Sequence, residues 1–127
     1  MNPAEVLEKA ADLLETVGWV QGEEVAYKRD PETGAKIPVG MCARGACMVA
    51  AGMDLTGSVR WLSQSESARE GFTAAFNLLQ QAIEPTDDYG SLVGWNDHDG
   101  RTAAEVIEKM KQVAKDFRNT AAPEELS

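Results

Sequence analysis

Cys42, His98 and the run Asn96-Asp97-His98-Asp99-Gly100 are the residues whose types and spacing bear on chemistry. A thiol beside an imidazole is the minimum for a cysteine nucleophile, because the imidazole takes the thiol proton. Cys42 stands near the start of a helical segment, where the helix dipole favours a thiolate. His98 is the one histidine of the chain and therefore the only imidazole partner for Cys42. It lies in an acidic loop, with no third orienting group and no oxyanion pattern. A buried thiol and an exposed histidine account for the pair better than catalysis does.

The NDHDG run resembles the middle of a calcium loop, D-x-[DN]-x-[DN]-G. With Asp97, Asp99 and Gly100 at the third, fifth and sixth positions, Trp95 falls on the first and Val106 on the twelfth. Neither can ligate a cation, so turn formation and helix entry explain the run better. Two cysteines and one histidine, without a CxxC pair, do not make a zinc site. Cys42 and Cys47 are five residues apart, about 500° around a helix, so they point in different directions and are read as reduced core thiols. No Gly-rich phosphate loop, GxSxG elbow or HExxH pair occurs, and no cofactor or metal is expected. Trp19, Trp61 and Trp95 each fall near the end of an element. A buried indole that anchors a loop through its N–H is the expected use, with an exposed contact residue as the alternative.

Charge narrows the partners. The 127-residue chain carries a net charge of −9, which disfavours direct nucleic-acid binding, since a phosphate backbone calls for clustered Lys and Arg. The same charge permits high solubility and attraction to a basic protein partner. Residues 84–99 hold Glu84, Asp87, Asp88, Asp97 and Asp99 and no Lys or Arg. A solvated loop explains this stretch first, and a surface for a cation or basic partner second. No apolar run is long enough to span a membrane. The N-terminal MNPAEVLEKAADLL lacks the basic and apolar regions of a secretory signal, so a cytoplasmic location is expected.

The elements that position these residues follow from periodicity. Apolar residues make up 43% of the chain, within the globular range. A first helix is predicted over 3–17, capped by Asn2, with Pro3 at its first position and Gly18 at its end. Val6, Leu7, Ala10, Leu13, Leu14 and Val17 form its apolar face. A short β-hairpin follows at about 24–39, turning at Asp30-Pro31-Glu32-Thr33-Gly34, and needs a helix to lie against. Residues 41–53 form a second helix, apolar or small nearly all round and therefore central. Within it Gly45 costs about 1 kcal/mol relative to Ala, which close packing or a ligand should explain, packing being the better account. A connection at 54–64, with a helical turn around Val59–Leu62, leads to a third helix over 65–83, capped by Ser63 or Ser65 and stopped by Pro85. Residues 84–101 read as a long loop, and long loops often carry function. A fourth helix over 103–118 opens with Thr102 and Glu105 as a capping box. Residues 119–127 are expected to fray. The fold class is thus α+β, mostly α: about four helices around a buried central helix, with one hairpin, in a single domain over 1–118.

Three ordered segments resemble a known family. They are Gly18-Trp19-Val20-Gln21-Gly22 before the hairpin, Cys42-Ala43-Arg44-Gly45-Ala46, and Trp95-Asn96-Asp97 leading into Arg101-Thr102 and Glu105-Val106. The pattern W-x-Q-G … C-A-x-G-A … W-N-D … R-T-x-x-E-V is similar to that of small uncharacterised proteins of actinobacteria and their bacteriophages, over about residues 4–115. No activity comes with the resemblance. His98 departs from the pattern, in which smaller residues are common there, and this argues further against a catalytic histidine.

The function expected is therefore that of a small acidic accessory or regulatory protein acting by binding another protein. Trp95, Asn96, Asp97 and Arg101 are the candidate binding residues; Cys42, Gly45, Thr102 and Glu105 are structural candidates. A ligand-binding or cysteine-dependent site around Cys42 and Trp95–Asp97 is the first alternative. DNA mimicry is the second, and it is weakened because Lys9, Lys28, Arg29, Lys109, Lys111 and Lys115 interrupt the acidic residues.

Overall fold

In the computed structural model, which describes residues 2–54, 61, 64–83 and 91–126, with side chains through 120, α1 spans Pro3–Thr16. Asn2 caps it: its side chain accepts from the Glu5 N–H at 2.9 Å, while Glu5 accepts from the Asn2 N–H at 3.1 Å. Val6, Leu7, Ala10 and Leu14 are buried, and Leu13 and Val17 pack half-buried beside them.

β1 (Val25–Arg29) and β2 (Lys36–Met41) form the antiparallel hairpin. Its turn closes by Gly34 N–H to the Asp30 carbonyl at 2.8 Å and Asp30 N–H to the Ala35 carbonyl at 2.9 Å. Gly34 has φ +72°, the left-handed conformation that glycine tolerates. The tip is exposed, whereas Gly40 and Met41 are buried. Met41 also exchanges backbone hydrogen bonds with Gly18 and Val20, so the segment after α1 pairs with the inner end of β2.

α2 (Ala43–Ala50) lies between α1, α3, α4 and β2. It is shorter than the 41–53 expected from its apolar character. Met41 belongs to the strand, and Cys42 is the N-cap, its sulfur accepting from the Gly45 N–H at 3.3 Å. Gly45 is explained by packing: a Cβ there would lie 2.7 Å from the carbonyl carbon of Glu24. α3 (Glu66–Ala82) is capped by Ser65 and buries Ala68, Gly71, Phe72, Ala75 and Leu79. Leu7, Leu79, Leu92 and Met110, all fully buried, each contribute roughly 1.5–3 kcal/mol of apolar transfer.

The stretch read as a loop over 84–101 contains a further helix, α4 (Leu92–Asp97), so the described residues hold five helices. Leu-Val-Gly-Trp-Asn-Asp has weak helix propensity, and tertiary contacts supply what propensity does not. Ser91 accepts from the Gly94 N–H at 3.3 Å, Gln80 of α3 accepts from the Leu92 N–H at 2.6 Å, and Leu92, Trp95 and Asn96 are buried. Glu84, Asp87 and Asp88 of the acidic stretch, and most of the 54–64 connection, lie outside the described residues.

α5 (Ala103–Leu126) runs beyond the expected end at 118 and packs along α1. Thr102 and Glu105 form the reciprocal cap, with Glu105 N–H to Thr102 Oγ1 at 3.2 Å and Thr102 N–H to Glu105 Oε1 at 3.1 Å. Arg118 reaches Glu8 and Lys111 reaches Glu15 across the α1–α5 seam. Among the described residues no helix is long and apolar enough to cross a membrane.

Candidate functional site

The three motif segments meet at one junction. Asn96, fully buried, uses both ends of its amide there. Its Oδ1 accepts from Trp19 Nε1 at 2.7 Å and from the Ala43 N–H at 2.9 Å. Its Nδ2 donates to the Val20 carbonyl at 3.1 Å and to Asp97 Oδ1 at 2.9 Å. The exit of α1, the start of α2 and α4 are thereby tied through one side chain. A buried amide with every hydrogen bond made is a strong register device, because any slip strands its partners.

Asp97 and Gln21 complete the tie. Asp97 Oδ1 also accepts from the Gly22 N–H at 3.0 Å. Gln21 Nε2 donates to the carbonyls of Asn96, at 3.1 Å, and His98, at 3.0 Å. Trp95 is 6% exposed. The Arg101 guanidinium stacks over its ring at 4.3 Å, donates to the Trp95 carbonyl at 3.0 Å and pairs with Glu105 at 2.9 Å. Trp95, Asn96, Asp97 and Arg101 thus come together, and much of their polar capacity is spent inside the fold. Trp19 is half-buried, whereas Trp61 is 45% exposed with its ring edge against Phe72, so the expectation of three buried anchors does not hold for it.

A cleft of about 200 Å³ opens beside this junction, lined by Gly22, Glu23, Glu24, Cys42, Arg44, Val93 and Asp97. Cys42 therefore does share a cavity with Asp97. Its surroundings favour the protonated thiol. Burial pushes the Cys42 thiol pKa up; N–H groups of Gly45 and Arg44 offset part of this, and the Asp97 charge adds to the rise. The expected lowering by the helix start is outweighed by loss of solvation. Cys47 is fully buried and pushed up to about 12. Both thiols are free. His98 is half-buried, not exposed as expected, and does not line the cleft. Among the described residues, no three His, Cys, Asp or Glu side chains group to hold a metal ion.

Sequence reasoning missed the cleft walls. Glu23, Glu24 and Arg44 sit inside or beside the quoted motifs but carried no signal of their own. Glu24 and Arg44 form an ion pair at the rim, and Arg44 also lies over Phe72 at 5.5 Å. Val93 is 41% exposed, on a helix that periodicity did not reveal. Trp19 and Gln21 were part of a motif whose partner, Asn96, only the fold identifies.

No curated protein and no solved structure matches the chain. Residues 1–116 match the model of a family of unknown function, DUF6197, and the chain belongs to that family.

Proposed function

We propose that this chain is a small acidic accessory protein that binds another protein through the face carrying the cleft. The observation that supports this reading is the division of labour around the junction. Trp95, Asn96 and Arg101 hold the scaffold, while Glu23, Glu24 and Val93 remain open to solvent around a concave site. An exposed apolar side chain that shares a cleft with three carboxylates suits a partner surface that is basic with an apolar centre. The resemblance to proteins of actinobacteria and their phages fits a host protein as the target. DNA mimicry is less well supported, because Arg44, Lys111 and Arg118 pair with Glu24, Glu15 and Glu8 and interrupt the acidic surface.

Affinity capture from an actinobacterial lysate tests the reading. Wild type and Val93→Asp are immobilised side by side, with equal melting temperatures as the folding control. One protein retained by wild type and lost with Val93→Asp is the expected result. Equal capture by both, or no capture by either, overturns it.

A further inference from the structure

We propose that the cleft is a receptor for one lysine side chain of the partner, with Asp97 as the group that receives its ammonium. This rests on the reading of the chain as a protein-binding module. The cavity, about 200 Å³, is smaller than the usual pocket for a drug-sized ligand and suits a single long side chain. Its lining carries three carboxylates, Glu23, Glu24 and Asp97, against one guanidinium, Arg44. Arg44 is committed to Glu24 and to the Phe72 ring. Glu23 and Asp97 remain to attract a cation.

The distinction between lysine and arginine comes from Asp97. Its Oδ1 already accepts from the Gly22 N–H and from Asn96 Nδ2, at 3.0 and 2.9 Å. Those two donors orient the carboxylate, and among the described residues Oδ2 accepts no hydrogen bond, which leaves it for an incoming cation. Guanidinium binds best when both carboxylate oxygens are open to its parallel N–H groups. A compact ammonium needs only one oxygen there and has further donors for Glu23. The aliphatic stem of a lysine finds Val93 and the Cys42 thiol as apolar walls. An orientation set in advance by backbone and amide donors lowers the cost of binding.

The test uses n-butylammonium as the probe and follows amide and methyl NMR signals of the full chain. A saturable shift at Gly22 and Val93, with a dissociation constant in the millimolar range that weakens with salt, is expected. n-Propylguanidinium should bind several-fold more weakly, and n-butanol not at all. Asp97→Asn keeps an oxygen for the Gly22 N–H and should lose most of the response; Glu23→Gln, at an exposed position, should weaken it and serves if Asp97→Asn folds poorly. No saturable shift, a response unchanged in Glu23→Gln and in folded Asp97→Asn, or equal binding of guanidinium overturns the proposal. A blocked Gly-Lys-Gly peptide should bind at least as well as n-butylammonium; if free spermidine saturates the site and the peptide does not, the lysine assignment is wrong. A captured partner that depends on Val93 yet binds equally after its lysines are acetylated would defeat this inference and leave the binding-module reading standing.

Discussion

The motif junction and the α1–α5 seam both join distant parts of the chain through polar groups, but on opposite terms. At the junction, Asn96 is fully buried and its four hydrogen bonds reach residues 19, 20, 43 and 97. At the seam, Glu8–Arg118 and Glu15–Lys111 sit in solvent, with side chains more than 40% exposed. Water competes for every partner at the seam and for few at the junction. The first arrangement therefore specifies how elements dock, while the second tunes a contact already made by apolar packing.

The largest expected effect is that of Trp95→Ala, which empties a buried indole site and leaves Arg101 without its stacking surface. A loss of about 3–5 kcal/mol is expected by urea unfolding. An unchanged midpoint together with lost partner binding would reassign Trp95 from scaffold to contact residue. Asn96→Ala comes next. It strands Trp19 Nε1, the Ala43 N–H and the Val20 carbonyl, and a loss on the order of 3 kcal/mol is expected; a near-neutral outcome in the same assay would erase the contrast with the seam. Gly45→Ala should cost about 1–3 kcal/mol, since the backbone of residue 24 must move to admit a methyl group. Ordinary helix propensity favours alanine there by about 1 kcal/mol, so a stabilised variant would show that the close approach is dispensable.

The smallest effect belongs to the seam. The hydrogen bond from Arg118 holds the Glu8 carboxyl below its ordinary pKa against the cost of burial, and the Arg118 charge adds to the lowering. A group depressed in the folded state stabilises above its unfolded pKa, near 4.5, and loses that contribution as pH falls through the folded value. Because the pair is exposed, its share should stay below about 1 kcal/mol and shrink with salt. Melting curves between neutral and acid pH, compared for wild type and Arg118→Gln, should converge as the pH drops. A gap that persists at low pH would mean that Arg118 acts through packing.

Legibility in the sequence followed the range of the interactions. Asn2 as an N-cap, Thr102 with Glu105, a serine cap at Ser63 or Ser65 and the Asp30–Gly34 turn were readable, because each is satisfied within a few residues of itself. The mostly helical α+β fold followed from the 3.6-residue stripes of α1, α3 and α5. α4 was not readable: its six residues are held by Gln80, by burial of Leu92 and Trp95, and by Asn96 bonds spanning 53 to 77 positions. The cleft was hidden for the same reason, since Glu23 and Val93 become neighbours only after α4 docks. Gly45 announced a close approach without naming Glu24 as its cause.

The cap on α2 has a consequence for how the chain folds. The first turn of α2 is completed by the Cys42 sulfur and by an oxygen of Asn96, which lies 53 residues downstream of Ala43. α2 is a short helix, and in isolation such a segment is marginal. Its N-terminal turn is finished only when α4 has been brought back to it, a closure with a high contact-order cost. The middle of the molecule is thus completed from its far end, and a chain ending before residue 91 would carry α2 without its Asn96 cap. Growth from the N-terminus alone does not complete the α2 cap, which requires Asn96 to reach Trp19 and Ala43.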